Sequence, residues 1–177
     1  MTTTKKQIRN MVGFTFLKQS SDSDVWYRKA SDFNRAAILL GSGEREEFCV
    51  AYYYNAGLSL ELILKAITIS KKIEFKTTHK LIGLAKTAGV TVSTDQECTL
   101  ELLSEIIIWS GRYPSPKSEM QWNDYHDKIQ EKHIIREQNG KTGSTMINRS
   151  RFPTIENYSK LWSMFESEYI NSLRPPS

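Results

Sequence analysis

The chain has 177 residues, and its 24 Lys and Arg against 20 Asp and Glu give a formal net charge of +4. The length fits one domain of roughly 100–200 residues, and no apolar run approaches the ~20 residues of a membrane span. No signal-peptide pattern follows the N-terminus, and two cysteines, Cys49 and Cys98, are too few for a disulfide scaffold. We therefore expect a cytoplasmic protein with reduced core thiols and no membrane partner.

The first 21 residues form a basic segment that accounts for the whole net charge. They contain no acidic residue and four basic ones, namely Lys5, Lys6, Arg9 and Lys18. Such an arm can attract partners that carry phosphate, although a solvated and poorly ordered terminus is the commoner case. We predict a basic arm over residues 1–21 and a single helical domain over residues 22–177, with a C-terminal helical extension.

Helical periodicity begins after the N-cap candidates at residues 21–24. Apolar residues at steps of three or four share one helix face, namely Trp26, Ala30, Phe33, Ala37 and Leu40. A second helix is predicted from about Glu44 to Lys72. It is apolar on nearly all sides, which is typical of a central helix covered by its neighbours. Four polar residues interrupt it, namely Asn55, Ser59, Glu61 and Lys65.

Three further helices and a short one are predicted beyond the central helix. Thr77 and Thr78 are expected to cap the short helix, from about His79 to Ala88. Thr94 and Glu97 have capping-box spacing and open a helix that ends near Ser110. Gly111 is placed as the glycine after that helix, with Pro114 as a stop.

The C-terminal third is predicted to contain two helices separated by a loop. The first helix runs from about Glu119 to Gln138, and residues 139–151, rich in Gly, Ser, Thr and Asn, indicate a long surface loop. The last helix starts at Pro153 and Thr154. Strand signals are nearly absent, so the sequence predicts an all-α, up-and-down bundle of about five or six helices.

The sequence lacks the common motifs for phosphate-binding loops, acyl transfer and zinc. No GxxxxGK[ST], GxGxxG or GxSxG pattern occurs. His126 and His133 are seven residues apart with Gln130 between them, which indicates a solvated helix face better than a metal site. We therefore predict no metal, no cofactor and no catalytic residue.

Two pairs of residues are ambiguous between structure and ligand binding. Glu61 and Lys65 have the spacing of a helical ion pair. Within so apolar a helix, we expect the two charges to pair with each other where helices or subunits pack together, or to face a ligand-binding groove. Arg112 can complement a helix dipole. With Tyr113 it can instead hold a nucleotide, through a phosphate contact and base stacking.

Three segments together resemble the HEPN domain, the nucleotide-binding helical domain of higher eukaryotes and prokaryotes. They are AYYYNAGLSLELILKAI, THKLIGL and GRYPSP, in that order, within residues 22–116. The resemblance implies a bundle of four or five helices that pairs as a homodimer across its long helices. It also implies roles in nucleotide or RNA handling, in toxin–antitoxin pairs with nucleotidyltransferases, and in defence against phage.

Many members of that family are ribonucleases that use an Arg-x(4–6)-His motif, which this chain lacks. Lys72 stands at that spacing before His79, and Lys128 before His133, but lysine does not offer the fixed fork of arginine. The leading hypothesis is a non-catalytic or weakly catalytic dimer that binds a nucleotide or RNA. Its candidate ligand-binding residues are Arg112, Tyr113, Glu61, Lys65, His79 and Asn55.

Two alternatives stay open at this point. One is a protein-interaction module that partners a nucleotidyltransferase, in which Arg112, Tyr113 and Pro114 only shape a helix end. The other is a ribonuclease with a rearranged site that uses His79 or His133. An exposed Arg112 in a concave groove would favour ligand binding, whereas a buried Tyr113 would favour the interaction module.

Overall fold

The computed structural model describes residues 3–42, 45–74, 77–139 and 142–174. The N-terminal part contains two short helices, α1 (Lys5–Met11) and α2 (Phe16–Ser21), and neither buries a side chain. Thr4 and Gln7 form a capping box at the start of α1, and Thr15 caps α2. The described part of the basic arm is therefore helical, because its threonines satisfy amide groups at both helix starts.

Two long helices form the centre of the fold. They are α3 (Ser23–Gly41), whose N-cap Asp22 is one of the predicted candidates, and α4 (Arg45–Ser70), whose bounds lie within two residues of the predicted ones. α3 begins where the Asp22 side chain accepts a hydrogen bond from the amide of Asp24. The two helices pack against each other along their length. α4 also packs against the helices described next, which explains its apolar composition on both sides.

The third part of the bundle contains a short helix and a longer one. They are α5 (Leu81–Thr87) and α6 (Thr94–Glu105), and α6 continues into a π-helical turn over Ile106–Ser110. The predicted N-cap residues of both helices are wrong by one to three positions. Lys80 is the N-cap of α5 without a side-chain hydrogen bond, and the capping box of α6 consists of Ser93 and Gln96.

Gly111 ends the π-helical turn for a different reason from the one predicted. Its φ of −84° is not left-handed, so it is not a C′ glycine of the expected kind. A Cβ at this position would lie 2.8 Å from the carbonyl oxygen of Ile106 and 3.0 Å from the ring of Tyr54. Close packing against the wide turn and against α4 therefore explains the glycine.

The predicted helix from Glu119 to Gln138 is wrong in its second half. The helix α7 (Glu119–Asn123) continues through a π-helical segment, Asp124–Ile129, and a 3-10 turn, Gln130–His133. An antiparallel hairpin follows, with strands β1 (Ile134–Asn139) and β2 (Thr142–Ile147). The prediction of a surface loop over residues 139–151 is therefore also wrong.

The hairpin has a physical cause that the sequence contains. Register pairs Ile134 with Ile147 and Ile135 with Met146, so β-branched and long apolar residues face one another across the strands. In the sequence, Gly-Lys stands between the paired residues Asn139 and Thr142, and glycine first in a two-residue connection is a hairpin signal. The helical periodicity of the preceding residues obscured this signal.

The last helix completes the core. α8 (Ile155–Ser172) begins directly after its N-cap Thr154, which the sequence predicted as part of the helix start, and packs on α4. It buries five large side chains, namely Tyr158, Leu161, Trp162, Phe165 and Tyr169. The hydroxyl of Tyr158 donates to Asn34 at 2.6 Å and lies 2.8 Å from that of Ser59, which satisfies these polar groups inside the core. The predicted all-α class is confirmed, with the hairpin as a small addition.

Length and apolar composition also bear on membranes. Among the described residues, no helix is both long enough and apolar enough to cross a bilayer.

Candidate functional site

Glu61 on α4 binds two partners at once. One carboxylate oxygen accepts a hydrogen bond from Nζ of Lys65 at 2.6 Å, and the other lies 2.8 Å from Nδ1 of His79. Glu61 and Lys65 are only 4% and 5% exposed. The ammonium group of Lys65 also lies over the ring of Trp26, 5.8 Å from its centroid. The predicted ion pair therefore forms as a buried, satisfied unit.

His79 connects the buried Glu61 carboxylate to the protein surface. A carboxylate only accepts hydrogen bonds, so Nδ1 of His79 holds the proton of that contact. The side chain of His79 is 51% exposed, although its partner Glu61 is buried. Glu61 thereby fixes the imidazole orientation and leaves Nε2 as the ring nitrogen that can meet a ligand or transfer a proton.

Arg112 and His79 line the same pocket. Its volume is about 630 Å³, and its wall includes Tyr113, Pro114 and Trp109. Arg112 and Tyr113 are both exposed. The guanidinium of Arg112 lies 5.4 Å from the centroid of the Tyr113 ring, and one of its N–H groups donates to the carbonyl oxygen of Ile108 at 2.6 Å. The exposed arginine beside an aromatic ring is the arrangement expected for ligand binding.

Sequence reasoning missed several other residues of this pocket, of which three carry long polar or aromatic side chains that could contact a ligand. They are Trp109, Lys117 and Gln121. Lys117 is exposed and forms no ion pair with a described residue, so it adds a second cation to the wall. Lys117 could have been predicted as a pocket residue, because it lies only five positions after Arg112 in the sequence. Gln121 could not be found in this way, because only the fold of α7 brings it to the pocket.

The remaining predicted site residues lie elsewhere. Nδ2 of Asn55 donates to the carbonyl oxygen of Ala51 at 2.7 Å, so the side chain serves its own helix. Glu61 and Lys65 do not line the pocket. Glu61 contacts the pocket residue His79, and Lys65 contacts Glu61. His126, which was not predicted as a site residue, packs against Trp122 with the rings tilted by 47° and their centroids 4.3 Å apart. Within the described ranges, no three His, Cys, Asp or Glu side chains form a group that could hold a metal ion.

The three sequence segments that resemble the HEPN domain lie within one region that matches a family model. The model of the HEPN domain family matches residues 23–137, from α3 to the first strand of the hairpin. No curated protein matches the chain, and no solved structure does. The matched range contains Glu61, His79 and Arg112, whereas α8 lies outside it.

Proposed function

Because the chain belongs to the HEPN domain family, we propose that it binds a nucleotide or RNA in the pocket between His79 and Arg112. The observation that carries this proposal is the convergence of these two residues on one pocket from positions 33 apart in the chain. Arg112 and Lys117 supply positive charge for a phosphate, and the exposed ring of Tyr113 supplies a stacking surface for a base.

The Glu61–His79 contact gives the pocket a defined hydrogen-bonding group. A histidine that donates Nδ1–H to a carboxylate keeps Nε2 directed away from that carboxylate. When neutral, Nε2 accepts a hydrogen bond from a ribose hydroxyl or a base N–H. When protonated, it donates to a phosphate. Both states suit a nucleotide, and the family resemblance adds a toxin–antitoxin or phage-defence setting as an expectation.

Replacing Arg112 by Lys tests the proposal. The charge remains but the planar fork is lost, so we expect binding of a short single-stranded RNA or a nucleotide to weaken by about 1–3 kcal/mol. Fluorescence polarisation for the RNA and calorimetry for nucleotides measure this loss. Arg35→Lys is the control, because Arg35 is an exposed arginine on α3 that pairs with Asp32.

Other results of the same titrations would favour different functions. Equal binding by wild-type protein and Arg112→Lys would contradict the proposed role of Arg112. A lower melting temperature in Arg112→Ala with unchanged binding would make Arg112 a structural cap, through its bond to Ile108. If the wild-type protein binds neither RNA nor nucleotides, the interaction module with a nucleotidyltransferase partner becomes the better reading.

A ribonuclease with a rearranged site is the second candidate function. The observation in its favour is that a buried carboxylate orients His79, as expected for a general acid or base. Slow RNA cleavage that is lost in His79→Gln and kept in His133→Gln would establish this candidate. RNA that stays intact during the binding titrations would argue against it.

We also propose that the protein is a homodimer. The family resemblance implies pairing across the long helices, but α3, α5, α6 and α8 already pack on α4 within one chain. Exposed apolar side chains nevertheless remain near the α3–α4 connection, at Ile38, Leu39 and Val50. Sedimentation at micromolar concentration is expected to give a dimer, and Leu39→Glu is expected to shift it towards monomer. A monomeric wild-type protein would contradict the proposal.

A further inference from the structure

A larger groove adjoins the Arg112 pocket. It has a volume of about 820 Å³ and lies between α5, α6 with its π-helical turn, and the segment from α7 to the 3-10 turn. Ile108 and Gln121 line both the groove and the Arg112 pocket, so the two depressions meet at these side chains. A pocket of about 300–1,000 Å³ holds one small ligand, so the pocket and the groove together have room for more than one nucleotide.

The charges of the groove differ from those of the pocket. The described wall of the groove has three lysines and three carboxylates. Lys128 pairs with Asp124 at 2.5 Å. Lys132 pairs with Glu101 at 2.5 Å. The described wall of the Arg112 pocket instead has an arginine, a lysine and no Asp or Glu. Phosphate is therefore favoured in the pocket, whereas the balanced groove suits an uncharged group such as a nucleobase.

Apolar side chains of the groove remain open to solvent. Met120 is 74% exposed, and Ile82, Tyr125 and Ile129 are only partly buried. A nucleobase has flat apolar faces, and both aromatic rings and thioethers make favourable contacts with such faces. A base in the groove would therefore cover apolar surface that the chain itself leaves exposed.

Gly83 of α5 lines the groove without a structural need for glycine. It is exposed, and glycine within a helix is less favourable than alanine. Its φ is not left-handed. A Cβ at Gly83 would meet no heavy atom of a described residue within 4 Å, apart from its chain neighbours and its own helix backbone. Packing and backbone conformation therefore leave the glycine unexplained, whereas close approach of a ligand to α5 explains it.

We propose that this groove is a second nucleotide subsite, which holds the base next to the nucleotide bound in the Arg112 pocket. This subsite rests on the proposed function and specifies its ligand as a single-stranded oligoribonucleotide of more than one nucleotide. Arg112 contacts the phosphate, and the neighbouring base lies between Met120 and α5, beside Gly83. The strand passes from pocket to groove at Ile108 and Gln121.

Gly83→Leu tests the subsite, because it adds bulk to the groove without changing the charge. Leucine favours a helix and the space beside Gly83 is open, so the variant is expected to fold. The probes are the 5′-monophosphates of adenosine and uridine and the corresponding 5′-phosphorylated trinucleotides, titrated into the full chain by calorimetry. We expect at least one trinucleotide to bind wild-type protein about tenfold more tightly than its mononucleotide, the scale of one stacked base.

The variants locate this advantage in the groove. Gly83→Leu is expected to lose most of it and to keep the mononucleotide affinity. Gly83→Ala is the control for the loss of glycine itself, because its methyl group leaves most of the groove open. Met120→Ala removes an exposed side chain, so it folds even if Gly83→Leu does not, and it is expected to weaken trinucleotide binding alone.

The outcomes separate the subsite from the proposed function. If Arg112→Lys weakens trinucleotide binding but Gly83→Leu and Met120→Ala do not, the groove is no subsite and the Arg112 pocket stands. Trinucleotides that bind wild-type protein no more tightly than mononucleotides would also overturn the subsite alone. If no probe binds, or if Arg112→Lys has no effect, the proposed function fails and the subsite falls with it.

Discussion

Replacing Glu61 by Leu is expected to lower the free energy of unfolding by about 3–5 kcal/mol. The substitution leaves the ammonium group of Lys65 buried without its carboxylate, and both side chains are shielded from solvent. Removing one partner of a buried pair is costly because the other charge has lost its hydration and its counter-charge together. Urea or thermal unfolding followed by circular dichroism measures the loss.

The double variant Glu61→Leu with Lys65→Met separates charge burial from packing. Removing both charges leaves apolar side chains of similar length in an apolar helix, so most of the lost stability is expected to return. Asp124→Leu is the matched control. Asp124 and Lys128 have the same i,i+4 spacing but are solvent-exposed, so breaking this pair should cost no more than about 0.5 kcal/mol.

The double variant also tests the link from α4 to the pocket. We expect the double variant to fold, but its His79 lacks the carboxylate of Glu61 that fixes the imidazole ring. Nucleotide or RNA binding should then fall although stability is restored. A double variant as unstable as Glu61→Leu would contradict the charge-burial account. Unchanged ligand binding would remove His79 orientation from the proposed function.

Replacing Phe165 by Ala is expected to destabilise the protein by about 3–5 kcal/mol. Phe165 is 0% exposed and lies on α8, in the core that α8 shares with α4. The truncation loses buried apolar surface and leaves a cavity that close-packed neighbours fill only in part. Thermal unfolding monitored by circular dichroism should show a clearly lower midpoint.

Ile170 supplies the matched control for Phe165. It lies on the same helix but is 48% exposed, so Ile170→Ala is expected to change the free energy of unfolding by no more than about 0.5 kcal/mol. Similar, small effects of both substitutions would show that α8 does not belong to the cooperative core. The expected large difference would show that the folding unit extends beyond the region that matches the family.

The sequence alone predicted the helical framework well, because helices depend on local periodicity. The bounds of α3 and α4, the end of the helical stretch near Ser110 and the start of α8 all follow from apolar spacing and N-cap residues. The family followed from three short segments in order. The Glu61–Lys65 pair was also predictable, since i,i+4 spacing places both side chains on one helix face.

The region after α7 was predicted wrongly, because the determining contacts are made across strands. Helical spacing through His133 and Ile134 suggested one long helix, but pairing of Ile135 with Met146 stabilises a hairpin. Single-sequence periodicity cannot weigh a contact between residues this far apart in the chain. The buried position of His133, predicted on a solvated helix face, follows from this change of element.

Only the tertiary structure decided which polar residues share a site. His79 comes to Glu61 because the segment before α5 lies beside α4, and it shares a pocket with Arg112 because the π-helical turn before Arg112 also packs on α4. Asn55, on the same helix, bonds to its own backbone. Local spacing determines which face of a helix a residue occupies. The packing of helices far apart in sequence determines what that face meets.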